Sequence, residues 1–533
     1  KQLTFRGTAI YNKVWNDTHI FNGLIGMEAN RSDYDAQMHQ DYGVDYDNGR
    51  EVIITPLFYK MAKEQGTALT SFSRTWDRRL AYFANANYSY KGRYSFNVTG
   101  RYDGSNQLGK SRSARWLPTW NVSGAWNAHE EEFFKKWMER THGAMSNATL
   151  RLSYSLVGER GSASNALPIY MAYQPFRPLA NDAETGIELY SLGNSELTYE
   201  KKKEFNVGVD LGFINNRINL VSDFYWRKNY DLMGYISTEK SGGESQKFAN
   251  VAAMRSHGIE FTLSTKNIMT KDLTWTSDLT FSYATTKITD LKSRSNVLTL
   301  VSGSGYARQG YPVRALFSIP FAGLNDEGIP QTIDQNGNVV TTNVNFQNFE
   351  QLDYLKYEGP TDPTTTGGFN NTVEWKNWRL NVFFTYSFGN VLRLDPVFSA
   401  AYSDMDAMPK EFKNRWVEPG DEKVTNIPTI ASTRQYHNDS QLSYAYNAYN
   451  YSTARVAKGD FIRLKDISLT YEFSKTLISH LGLSTLSLKL DATNLFLLYA
   501  DDKLNGQDPE YVNAGGVASP TPKQFTFTLR LGI

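Results

Sequence analysis

The side chains that could perform catalysis are few and scattered along the chain. The sequence has no cysteine, and none of its seven histidines belongs to a His-Glu-x-x-His arrangement, which is typical of zinc hydrolases. It also contains no Gly-x-Ser-x-Gly nucleophile turn and no glycine-rich phosphate loop. We therefore predict no enzyme activity, no metal centre and no cofactor. The histidines are His19, His39, His129, His142, His257, His437 and His480.

Two acidic segments could bind a cation. Residues 334–338 (Asp-Gln-Asn-Gly-Asn) resemble the start of a calcium loop, but the twelfth position is Asn345 instead of the bidentate glutamate that an EF-hand requires. An Asn-Gly turn explains this segment better. The second segment has four carboxylates, for which we favour a solvated loop face over a cation site. These are Asp501, Asp502, Asp508 and Glu510.

Aromatic side chains are the better candidates for ligand contact. Rigid rings provide contact area at low entropic cost, which suits sugar faces or peptide side chains. The same residues could instead pack loops together or contact a partner protein, and the sequence does not decide between these roles. The candidate substrate-binding residues are Tyr436, His437, Tyr444, Tyr446, Tyr449 and Tyr451 in one segment, and Tyr170 and Tyr173 in another.

A short helix is predicted over residues 408–416, within a long polar segment. Its Phe412 and Trp416 are candidates for contact with a partner protein, and packing within the loop is an equal alternative. A second short helix is predicted around residues 130–137, with acidic residues first and basic residues last, as the helix dipole favours.

The elements that must position these residues are β-strands. In the last strand Phe525, Phe527, Leu529 and Leu531 alternate with polar residues, a period of two that gives one apolar and one polar face. The clearest hairpin covers residues 80–103, with a tight turn at residues 91–93, and a second turns at Asn215 and Asn216. Similar segments bring the count to about 15 strands.

The layout of these strands favours a membrane barrel. Short turns alternate with long polar segments at about 32–77, 157–200, 231–247, 289–363, 391–459 and 498–522. The composition agrees, because 14% of the residues are aromatic although the chain is polar overall. A run of soluble β-sandwiches is the alternative, but it would need domain linkers. We predict an all-β fold, a transmembrane antiparallel β-barrel, with one domain over residues 1–533.

Several charged residues are expected on the lumen side of this barrel, where they would contact water or a plug. The expected lumen residues are Arg101, Asp103, Asp210, Asp223, Arg227 and Glu260.

Positive and negative charges nearly cancel, with 56 Lys and Arg against 55 Asp and Glu, so nucleic acid is not an expected partner.

Five blocks of sequence together resemble the SusC-like (RagA/SusC) family of TonB-dependent outer-membrane transporters, in the expected order. The first is residues 82–109, which include Arg-Tyr-Asp-Gly-Ser-Asn. The others are residues 359–378 with Gly-Pro-Thr-Asp-Pro and Trp-Lys-Asn-Trp, residues 459–471 with Gly-Asp-Phe-Ile-Arg-Leu-Lys-Asp, residues 492–496 with Ala-Thr-Asn-Leu-Phe, and residues 507–510 with Gln-Asp-Pro-Glu.

The resemblance implies import of an oligomeric nutrient, glycan or peptide, across the outer membrane, with a SusD-like surface lipoprotein as lid. It also implies energy from TonB-ExbB-ExbD, a plug domain and a multi-pass barrel in the lipid bilayer. A plugged transporter barrel has about 22 strands, so we expect this chain to be the C-terminal portion, lacking the plug and seven strands, with a periplasmic C-terminus. A passive porin or a structural barrel remains the alternative.

Overall fold

The computed structural model describes residues 1–40, 44–45, 47–51, 55–65, 70–141, 144–161, 166–173, 186–238, 246–342, 344–396, 409–480, 482–512 and 522–532. Its main element is a 15-stranded sheet in which strands neighbour one another in chain order. This confirms the predicted strand count and the all-β class. The strands are β1 Gln2–Trp15, β2 His19–His39, β3 Thr70–Tyr90, β4 Tyr94–Ser105, β5 Trp116–Asn127, β6 Met145–Glu159, β7 Glu200–Phe213, β8 Ile218–Ser237, β9 Gln246–Met269, β10 Leu273–Leu291, β11 Thr365–Trp375, β12 Trp378–Phe388, β13 Phe461–Glu472, β14 Thr485–Ala500 and β15 Gln524–Gly532.

Tight turns join many of these strands, as the sequence predicts. The β3–β4 pairing closes at Tyr90 and Tyr94, with Lys91 and Gly92 in the left-handed region. Such positive φ values match the right-handed twist of the flanking strands. At the β11–β12 turn Trp375 lies opposite Trp378.

The long hairpins extend further than the alternation predicts. Strands β2 and β3 pair continuously as far as His39 and Thr70, so the segment predicted as loop at 32–77 is strand over residues 32–39 and 70–77. The segment predicted at 231–247 is likewise largely strand, because β8 ends at Ser237 and β9 begins at Gln246. Both predictions were wrong because the hairpin extensions mix apolar and polar residues on each face, as where Asp33 lies opposite Trp76, and so lack the single apolar face of a half-buried strand.

Shorter elements occupy the connections between the sheet strands. Eleven short strands lie in the described residues: Val44–Asp45, Arg50–Glu51, Ile169–Tyr173, Gly186–Ser191, Ala315–Ser318, Phe321–Leu324, Pro330–Ile333, Val339–Val340, Lys356–Pro360, Val391–Arg393 and Val456–Lys458. The α-helices are α1 Pro56–Glu64, α2 Arg112–Arg115, α3 Glu132–Arg140, α4 Val297–Val301, α5 Thr433–Asn438, α6 Leu442–Asn450 and α7 Lys475–Ser479. The 3-10 turns are Ala128–Glu130, Lys410–Asn414, Asp421–Lys423, Thr453–Arg455 and Asp502–Leu504.

Both predicted connection helices have counterparts. Helix α3 begins at Glu132, and the segment at 408–416 contains the 3-10 turn Lys410–Asn414 rather than a full helix. Met408 lies outside the described residues. Among the described helices, none combines the length and the apolar character that a membrane-crossing helix requires.

Contacts divide the chain into two units. The first contains residues 1–125, 153–204 and 228–253, and its apolar core lies around Leu108 and Leu197. The second contains residues 126–152, 205–227 and 254–533. Its largest apolar core includes Val297, Leu300 and Phe317, all outside the sheet strands. We call residues 297–342, 344–360, 391–396 and 409–458 of this unit the loop assembly.

Candidate functional site

Two of the candidate tyrosines form the core of the loop assembly. Tyr446 and Tyr449, both on α6, are each 1% exposed. The Tyr446 hydroxyl donates a hydrogen bond to the backbone carbonyl of Thr429 at 2.7 Å, and the Tyr449 ring meets Phe321 edge-on, with centroids 5.5 Å apart. The packing alternative therefore applies to both residues, because their rings are inaccessible to a substrate in this structure.

The other candidates in this segment surround that core. Tyr436 and Tyr451 are partly buried, Tyr436 beside Tyr446 and Tyr451 against the core around Phe317. Tyr444 and His437 are exposed. The sequence analysis did not predict this division, which arises because residues 442–450 form a helix with one buried side.

In the 157–200 segment, Tyr170 is exposed on a short strand that pairs with residues 186–191. The side chain of Tyr173 lies outside the described part of the structure. A role in substrate contact remains a prediction for both residues.

The two partner-contact candidates differ in accessibility. Phe412 is buried against Tyr449 and Ile427, so it is placed to pack the loop and not to meet a partner. Trp416 is partly buried, and its indole Nε1 donates to Glu422 Oε2 at 3.2 Å. Only the exposed edge of Trp416 is available for a contact.

A buried arginine that the sequence analysis missed connects the loop assembly. The Arg393 guanidinium donates to the backbone carbonyls of Ser452 (2.7 Å), Phe317 (2.7 Å) and Val301 (3.2 Å). It therefore links three segments that are distant in sequence. Burial lowers the pKa of Arg393 to about 10, which still leaves it charged at neutral pH.

Two further buried arginines form ion pairs in the second unit. Arg455 Nη1 lies 2.7 Å from Glu411 Oε1, beneath the Tyr449 ring. Desolvation raises the pKa of Tyr449 to about 12, so its hydroxyl stays neutral. Arg463 Nη2 lies 2.6 Å from Asp508 Oδ1 and 2.7 Å from Glu510 Oε2.

The acidic segment 501–510 therefore has structural partners. The Asp508 side chain is only 11% exposed and pairs with Arg463, which corrects the prediction of a solvated loop face for this residue. Asp501 Oδ1 accepts from the backbone N–H of Lys503 at 3.0 Å and caps a 3-10 turn.

At Asp334 the predicted Asn-Gly turn is present, because the Asp334 Oδ1 accepts hydrogen bonds from the N–H groups of Asn336 and Asn338. The described residues contain no group of three or more potential metal ligands.

The expected lumen residues lie on the polar side of the strands, where Arg101, Asp103, Asp210 and Asp223 take part in ion pairs. In the first unit, Arg101 Nε lies 2.7 Å from Asp103 Oδ1 and forms an ion pair with it. In the second unit, Arg151 bridges Asp210 and Asp223 at 2.8 and 3.2 Å, and Arg227 stacks over the Tyr225 ring. Glu260 is exposed. A cavity of about 590 Å³ in the first unit is lined by Arg79, Arg101, Asp103, Arg160 and Tyr199, among others.

The opposite side of the strands exposes apolar residues in cross-strand register. On β14 and β15, Leu488 lies opposite Leu529 and Leu490 opposite Phe527. On β3 and β4, Tyr88 lies opposite Phe96. Large apolar faces exposed in this way are rare on water-soluble proteins and suit a lipid environment.

Tyr446 tests the packing role of the tyrosines. We expect Tyr446→Phe to destabilise the loop assembly by roughly 0.5–1.5 kcal/mol, because the Thr429 carbonyl loses its buried donor. Tyr444→Phe is the matched control, since Tyr444 is exposed on the same helix. Hydrogen exchange of the α6 amides in the intact protein measures both, and equal protection in the two variants would contradict the packing role.

Comparison with known proteins identifies the fold. The family described as "TonB dependent receptor-like, beta-barrel" matches residues 2–495. TonB-dependent receptor P39 of Formosa agariphila is 25% identical over 96% of this chain and 50% of its own length. TonB-dependent receptor SusC of Bacteroides thetaiotaomicron is 25% identical over 85% of this chain and 43% of its own length.

The solved structures agree with the sequence comparison. The RagAB peptide transporter matches all of this chain and 55% of its own with a TM-score of 0.75, at 22% identity. The chain spans about half the length of the relatives it matches. Its predicted resemblance to SusC and RagA is confirmed, and the chain belongs to the TonB-dependent receptor β-barrel family.

Proposed function

We propose that this chain is the C-terminal barrel portion of an outer-membrane transporter that imports an oligomeric nutrient, glycan or peptide, using energy from TonB. The observation that carries the proposal is one 15-stranded antiparallel sheet with apolar residues exposed on one side and paired charges on the other. A wall of this kind separates lipid from an aqueous lumen.

The charged side suits passage of a polar cargo. Charges are tolerated within a membrane protein where they face water and are paired, as Arg151 is with Asp210 and Asp223. A barrel of about 22 strands is wide enough to need a plug. In the proposal, the plug and the segment that contacts TonB-ExbB-ExbD are supplied by chain outside residues 1–533.

The loop assembly supports a lid partner of the SusD-like lipoprotein type. Its buried core, with Tyr446 and Arg393, fixes its shape before any partner binds. Preorganised surfaces lose less conformational entropy on association. Exposed apolar side chains on this assembly, including Val424 at 84% exposure, together with Tyr444, are the proposed contact points. The short turns and the C-terminus would then face the periplasm.

The lid contact is tested with surface variants of the intact protein. Val424→Asp combined with Tyr444→Ala should lower the amount of lipoprotein that co-purifies, because it removes exposed apolar area from a folded platform. Val424→Ile combined with Tyr444→Phe is the control at the same positions and should retain the partner. Loss in both variants, or in neither, would contradict these contact points.

A further inference from the structure

A group of lysines lies on the membrane-facing side of β7 and β8, next to the apolar band. Phe205, Val207, Val209, Leu211 and Phe213 alternate on that side of β7 over nine residues. A tilted strand needs about nine to eleven residues to cross the hydrocarbon core. Since successive side chains alternate between faces, Lys203 and Lys201 continue the same side of β7 just beyond the band.

Strand β8 has the same arrangement. Phe224 and Trp226 share one face of the strand, and Lys228 and Tyr230 follow on that face. The Phe205 and Trp226 rings stack with centroids 5.9 Å apart, and they are 42% and 53% exposed. Exposed aromatic pairs of this kind mark the boundary between hydrocarbon and headgroups, so the lysines are at headgroup depth.

The lysines converge on one tyrosine. The Nζ atoms of Lys201, Lys203 and Lys228 each lie 5.8 Å from the centre of the Tyr230 ring. Lys201 is neutralised by Asp231 at 2.7 Å. Within the described part of the chain, neither Lys203 nor Lys228 forms an ion pair. Two cations without an ion-pair partner among the described residues and one phenol side chain therefore lie together in one small patch.

We propose that Lys203, Lys228 and Tyr230 bind the phosphorylated headgroup of a membrane lipid. Ammonium groups attract phosphate as point charges, and a phenol hydroxyl can donate to a phosphate oxygen. In the proposed orientation the patch lies at the outer leaflet, which makes a phosphorylated glycolipid its occupant. The proposed lipid site rests on the assignment of this side of β7 and β8 to the membrane, and it does not require that the protein transports a nutrient.

The test uses the intact protein in a detergent with an uncharged headgroup. Affinity is measured by thermal shift for diphosphorylated lipid A, phosphatidylcholine and inorganic phosphate. Wild-type protein should bind lipid A, with no saturable binding of the other two. Lys203→Gln combined with Lys228→Gln should weaken lipid A binding roughly twenty-five-fold, because each lysine near a charged surface contributes about fivefold.

Lys202→Gln is the matched control, because Lys202 lies on the other face of β7 and pairs with Glu204 at 3.1 Å; its lipid affinity should equal that of wild type. Heat-dependent gel mobility verifies folding, and the single variants replace the double variant if it does not fold. Unchanged lipid affinity in the lysine variants would overturn the proposal. Binding of phosphatidylcholine with the same affinity would also overturn it, because it would show adsorption through the apolar band alone. Binding of inorganic phosphate with the same affinity would overturn it as well, because it would show a site for free phosphate.

Discussion

Replacing Arg393 by methionine is expected to destabilise the loop assembly by at least about 3 kcal/mol. Methionine keeps an unbranched stem of four heavy atoms but has no guanidinium, so the hydrogen bonds to Val301, Phe317 and Ser452 are lost. Each buried acceptor left without a donor costs roughly 1–3 kcal/mol. Hydrogen exchange of the intact protein should show α4 and α6 losing protection together, because Arg393 joins the segments that carry them.

Arg314→Met provides the control in the same assembly. Arg314 pairs with Asp362 at 2.7 Å, and both side chains are about half exposed, so its loss should cost at most about 1 kcal/mol. Similar losses of protection in the two variants would show that the buried Arg393 stabilises the assembly no more than the exposed Arg314 does. Loss of protection at α4 alone would show that the linked segments are stabilised independently.

Leu529→Arg is expected to impair insertion of the protein into the outer membrane. Leu529 is 53% exposed on the apolar side of β15, opposite Leu488. An arginine at mid-bilayer depth on the lipid face costs about 2–4 kcal/mol. The yield of heat-modifiable, folded protein in outer-membrane fractions is the readout, and it should fall well below that of wild type.

Thr526→Arg is the corresponding change on the other face of the same strand. Thr526 lies opposite Asp491, so a new cation meets a carboxylate in an aqueous environment. Its folded yield should stay close to that of wild type. Equal yields for the two variants, whether high or low, would refute the assignment of the apolar side of β15 to lipid.

The sheet could be predicted from the sequence because burial on one side imposes a period of two on every membrane-crossing strand. Turns such as that at Lys91 and Gly92 could be predicted as well, because their chemistry is local. The extensions of β2 and β3 could not. In these extensions each face mixes apolar and polar residues, as where Asp33 lies opposite Trp76, so no single apolar face marks the paired strands in the sequence.

The candidate site was less predictable, because its organisation depends on contacts between distant segments. The aromatic residues at 436–451 were candidates for substrate contact, with loop packing as the alternative, and helical geometry buries Tyr446 and Tyr449. No local pattern distinguishes Arg393 from exposed arginines. Arg463 and Asp508 belong to two of the blocks that resemble the SusC-like family, but their ion pair was not predicted either. Their ion pair gives those blocks a shared structural role.

The central claim is TonB-energised import of an oligomer through this barrel, and uptake by cells measures it most directly. Cells producing the intact protein and its lipoprotein partner are given labelled oligosaccharide or oligopeptide pools, with and without a functional TonB. We predict accumulation of at least one pool that depends on this protein and is abolished without TonB. Accumulation that depends on this protein but continues unchanged without TonB would contradict the claim and indicate a passive pore.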